Sequence, residues 1–107
     1  MTAQDPEAVL AQLSERAAHR NRQRADRLGR LCADLEPGTP DEMWIEGVEL
    51  AHQIAGSTGT FGNMAASGRA RELLEALQAR DRAAVPGLMG ALRAALEAAP
   101  GGGPEQL

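Results

Sequence analysis

The sequence predicts an all-α fold, an antiparallel up-and-down four-helix bundle. Alanine occurs 21 times and leucine 13 times among 107 residues, and both are strong helix formers. Valine, isoleucine and threonine together number only 9, too few to furnish a sheet. Apolar residues recur at helical spacing in segments joined by connections of a few residues, which sets neighbouring helices antiparallel. A chain of this length makes one domain that buries about two-thirds of its unfolded surface. The bundle is expected over residues 1–99. The segment Pro100-Gly101-Gly102-Gly103-Pro104 cannot hold a helix, so 100–107 are expected to form a flexible tail.

Asp5-Pro6 predicts the first helix start, with an N-cap followed by proline at the first helical position. Val9, Leu10, Leu13 and Ala17, then Leu28, Leu31, Cys32 and Leu35, form its apolar stripe. The period is weak between His19 and Asp26, where the helix is either irregular or broken. Glu36-Pro37-Gly38 ends it. Thr39-Pro40-Asp41-Glu42 predicts the second start as a capping threonine, a proline and a glutamate at the third position. Met43, Gly47, Leu50, Ala51 and Ile54 are its core side, and it is expected to run to about Ser57 or Thr58. The third helix begins between Phe61 and Met64 and carries Ala66, Ala70, Leu73, Leu74 and Leu77, with Phe61 and Met64 expected in the core. Asp81 caps or precedes the fourth, whose stripe is Val85, Leu88, Met89, Leu92, Leu96 and Ala99. Pro86 leaves its first turn uncertain, because proline removes a backbone donor.

The charge balance restricts function. There are 11 basic residues, all arginine, against 15 acidic ones, giving a net charge of −4 and a pI near 5.1. That disfavours a nucleic-acid binder. The single cysteine, Cys32, makes neither an internal disulfide nor a cysteine-based zinc site, so a reducing, cytoplasmic setting is expected. No run approaches 18 apolar residues, so no membrane association is expected. Six arginines between Glu15 and Arg30 face six acids and no bases between Leu31 and Leu50. This run is a solvated face, or one paired with the acidic stretch; a nucleic-acid or acidic-partner surface is the alternative.

His52 lies roughly 140° from the midline of the second helix's apolar stripe and is expected to point outward. Ile45, Val48, Glu49, Ala55 and Gly56 are expected on the same outer surface. A histidine ringed by outward apolar residues suggests a docking surface. An unperturbed imidazole is about three-quarters neutral at pH 7, so a nucleophilic nitrogen is available. Gly56, one turn on, leaves space for a phosphoryl group or a partner's active site. The competing reading is an ordinary exposed histidine beside a frayed helix end.

Residues 51–62, Ala51-His52-Gln53-Ile54-Ala55-Gly56-Ser57-Thr58-Gly59-Thr60-Phe61-Gly62, resemble the signature of histidine-containing phosphotransfer (HPt) domains. The matching positions are His52, Ile54, Gly56, Ser57 and Gly62, and the four-helix layout extends the likeness over roughly residues 5–99. The resemblance implies a relay. His52 would accept a phosphoryl group from a receiver-domain aspartate and pass it to another receiver, with Gly56 leaving room. It implies no cofactor on this chain, because the receiver supplies Mg²⁺. The implied partners are receivers of response regulators or of a hybrid histidine kinase, met by a monomer. The commoner family pattern has lysine three residues after the histidine, where this chain has Ala55. One charge about 5 Å away is worth about 1–3 kcal/mol near a surface, and Arg69 or Arg71 is a candidate replacement. The missing lysine also keeps open a non-phosphorylated adaptor or inhibitor that binds receivers or kinases. Ser57 is expected to bond a backbone carbonyl rather than act as a nucleophile. Trp44 is expected either in the core or on the docking surface.

Overall fold

A computed structural model of the protein describes residues 5–98. It has four helices: α1 (Pro6–Ala33), α2 (Asp41–Thr60), α3 (Met64–Gln78) and α4 (Val85–Ala98). They form a ring in which α2–α3 is the most extensive contact, followed by α3–α4, α1–α2 and α1–α4. Leu28, Ile54, Leu73, Leu77, Val85 and Leu92 fill the centre and are fully buried. The tail expected at 100–107 and the Ala99 position of the α4 stripe lie outside the described residues.

α1 is unbroken. Asp5 Oδ1 accepts the Glu7 N–H at 3.2 Å and Pro6 takes the first helical position. Its middle has a weak apolar period because the buried residues there are small or polar: Ala17, Asn21 and Ala25. The Asn21 carboxamide donates to Ser57 Oγ at 3.0 Å and accepts from Arg24 at 2.9 Å. Ser57 is thus an acceptor from α1, not a donor to a carbonyl; Thr58 and Thr60 make that kind of bond, to Ile54 and Gly56. Leu10 and Leu13, expected in the core, are 57% and 44% exposed. α1 has 28 residues and its antiparallel neighbours α2 and α4 have 20 and 14. Among the described residues its first turns run past the ends of both.

The α2 start also departs from expectation. Thr39 Oγ1 accepts the Glu36 N–H at 2.7 Å, closing the turn from α1, and α2 begins at Asp41 without a side-chain cap bond. Asp41 and Glu42 in the first turn complement the positive end of the helix dipole. Trp44 is a core residue, 5% exposed, whereas Met64 is 65% exposed and Phe61 half-buried. Pro86 is accommodated in the first turn of α4, where its absent N–H has no helical acceptor to satisfy.

Two helix ends share one device. After α2, Gly62 adopts φ +86°, with Gly62 N–H bonded to Gly59 and Asn63 N–H to Thr58. Asn63 then caps α3 through Oδ1 on the Ala66 N–H. This left-handed closure usually takes glycine. After α3 the same pair of bonds, Arg80 to Leu77 and Asp81 to Ala76, forms around Arg80 at φ 55°. A non-glycine residue there costs about 1–2 kcal/mol. Arg80 is retained by an ion pair with Asp41 at 2.8 Å and by lying over the Trp44 ring, 5.6 Å from its centroid. Arg80→Ala loses both contacts and keeps the unfavourable backbone, whereas Arg80→Gly loses the contacts and relieves it. Arg80→Gly should therefore be the more stable variant by about 1 kcal/mol, measured by chemical denaturation. Equal stability would show that the backbone conformation carries no cost.

Candidate functional site

α2 and α3 pack through small residues. Ala51 and Ala55 on α2 and Ala66, Ser67 and Ala70 on α3 are all buried. Ser67 Oγ donates to the Ala55 carbonyl at 2.9 Å. A Cβ on Gly59 would stand 3.2 Å from Ser67 Oγ, so the helices are close there. This seam sets the rotation of α2 and leaves His52 exposed on the outer side. The His52 side chain makes no hydrogen bond or ion pair among the described residues.

Beside His52 lies an open hollow of about 390 Å³. From α2 it is lined by His52, Ala55 and Gly56, and from α3 by Arg71, Leu74, Glu75 and Gln78. Gly56 sits within the helix, which continues to Thr60, so it does not mark a frayed end. A Cβ added there meets nothing within 4 Å. Ala55 corrects an expectation. It is 4% exposed, not an outward surface residue, because the turn it occupies faces Ser67 across the seam. It contributes to the wall of the hollow from within.

A second hollow of about 410 Å³ continues along the same groove. Ile45, Val48 and Glu49 line it with Trp44, Leu77 and Arg80, and Gln78 borders both. Ile45 is 55% exposed. Val48 is half-buried against the core, so it contributes to stability as well as to the surface.

Of the two arginines proposed near His52, the structure brings in Arg71 and leaves out Arg69. Arg69 pairs with Glu72 at 3.0 Å and does not line the hollow. The sequence reading placed Leu74 in the core stripe and did not single out Glu75 or Gln78, yet all three line the hollow. With Arg71 they form an i, i+3, i+4, i+7 row, a helical stripe that was legible but flanked the apolar core row. Elsewhere, burial pushes the Cys32 thiol up to about 11, so it stays protonated at neutral pH and is no nucleophile. Among the described residues no group of three or more His, Cys, Asp or Glu is arranged to hold a metal ion. No described helix is long and apolar enough to cross a membrane. On α1, Arg27 forms a two-pronged pair with Glu46 at 2.7 and 2.8 Å. That bond holds the Glu46 carboxyl below the usual carboxylate range. Part of the arginine run therefore pairs with the acidic helix beside it.

The all-α bundle thus exposes His52 beside a hollow that Gly56 leaves open. The Hpt domain family model matches residues 12–102, and the chain belongs to that family. No curated protein and no solved structure matches it. Hpt domains carry out histidine phosphotransfer in two-component signalling and interact with receiver domains and kinases.

The open space over Gly56 gives a two-sided prediction. Gly56→Ala should stabilise the bundle by about 0.5–1 kcal/mol through helix propensity. It should also slow any reaction in which a group must approach His52 closely. Thermal unfolding and a transfer assay on the same samples check both signs. A variant that is more stable and fully active would show that the glycine is not needed for access.

Proposed function

We propose that the chain relays a phosphoryl group between receiver-domain aspartates of a multistep phosphorelay, with His52 as the acceptor. The lone pair on Nε2 attacks phosphorus, the P–O bond of the aspartyl phosphate breaks, and the carboxylate leaves. The ring sheds its Nδ1 proton to water, and the reverse sequence on a second receiver completes the relay. In this reading Mg²⁺ belongs to the receiver, and the chain acts as a cytoplasmic monomer. One observation carries the proposal: in a chain of the Hpt domain family, His52 is exposed with unfilled space above Gly56. Ile45, Val48 and Glu49 extend the surface on which a receiver would seat.

The experiment is transfer from a phosphorylated receiver to the purified protein, with His52→Gln as control. Acid-labile, base-stable label on the wild type alone is the expected result. A second reading, an adaptor that binds receivers without accepting phosphate, is favoured by the α2 sequence, which places no basic residue beside His52. Binding without label would select it, and absence of both would reject docking at this face. Ile45→Arg should weaken receiver binding by about tenfold, a loss of about 1.4 kcal/mol, with helicity unchanged. Unaltered affinity would move the docking surface elsewhere.

A further inference from the structure

A phosphoryl group on His52 carries up to two negative charges, and the helix beneath it offers none of the opposite sign. The 20 residues of α2 include Asp41, Glu42, Glu46 and Glu49 and no lysine or arginine. The neighbouring arginines are engaged: Arg27 with Glu46, Arg80 with Asp41, and Arg69 with Glu72. Arg71 is different. It is exposed, it lines the hollow with His52 and Gly56, and it makes no ion pair or hydrogen bond among the described residues. Glu75, one turn further along α3, lines the same hollow without pairing to it.

We propose that Arg71 contacts the phosphoryl group on His52 from across the α2–α3 seam and supplies its countercharge, while Glu75 opposes it. The inference rests on the relay reading of His52 and adds to it a residue that sets the energy of the phosphorylated state. A guanidinium suits the task because its planar donor fork matches phosphate oxygens and stays charged at every working pH. Its side chain is long enough to leave α3 and lie over the bare Gly56 backbone. Gln78 adds a neutral donor at the far edge of the hollow.

The titration that tests it needs no partner protein. Phosphoramidate charges the full chain directly: Nε2 attacks phosphorus, the P–N bond breaks, and ammonia leaves with the ring proton as ammonium. The second ionisation of the phosphoryl group is then followed by ³¹P NMR against pH. A nearby cation favours the dianion and lowers that pKa. Arg71→Ala should raise it by about 0.5–1 unit, a three- to tenfold change in the ionisation constant. Arg71→Lys should restore most of the shift, Glu75→Gln should move it in the opposite direction, and Arg69→Ala should leave it at the wild-type value. Because Arg71 is exposed, helicity should be the same in every variant. If His52 is labelled and Arg71→Ala titrates like the wild type, the role of Arg71 is overturned and the relay stands. If neither phosphoramidate nor a phosphorylated receiver labels His52, the relay reading fails and this inference fails with it.

Discussion

The close approach of α2 and α3 governs this molecule. Gly47, Ala51, Ala55 and Gly59 recur every four residues along α2, and their small size lets α3 come near. Leu31 and Leu77 close over Gly47, at 3.4 and 3.5 Å from where a Cβ would stand. At the other end Ser67 presses against Gly59 and bonds the Ala55 carbonyl. A seam built this way tolerates little rotation of α2, since turning it would push a larger side chain into the gap. Ile54 and Trp44 consequently point inward, and His52 is held outward over the row of α3 residues from Arg71 to Gln78. Core packing thereby determines which charges surround the exposed imidazole.

Helix number, order and approximate ends were legible in the sequence, because proline, glycine and capping residues punctuate the apolar period. The outward position of His52 was legible for the same reason, and so was its kinship. Two kinds of detail were not. The first is which face of a helix meets a partner when the marking residues are small. Ala55 looks the same in a list of apolar residues whether it faces solvent or a serine across a seam. The second is reach: Leu10 and Leu13 carry a correct apolar period, yet no described residue covers them and both are exposed. Asn21 explains the weak middle of α1, since a buried carboxamide satisfied by Ser57 does the work expected of a leucine.

Charge is distributed unevenly and to purpose. Acids on the outer turns of α2 are met by arginines from α1 and from the end of α3, as in Arg27–Glu46 and Arg80–Asp41. Exposed pairs of this kind add little stability each, but they decide which arginines are free. Arg69 pairs with Glu72 on the same helix, whereas Arg71 makes no ion pair among the described residues. Arg80 gives up a glycine's backbone ease to lie over Trp44, and there it lines the hollow with Ile45 and Val48.

The hollow beside His52 is open to solvent rather than an enclosed chamber, and that bears on storage. Any labile group held there sits in contact with bulk water, with no lid among the described residues to delay hydrolysis. Its lifetime would depend on the intrinsic sluggishness of the bond and on the charges around it. An open site of this kind would leave the exclusion of water to whatever protein docks over it. Holding cargo for long intervals would call for a deeper recess than α2 and α3 make.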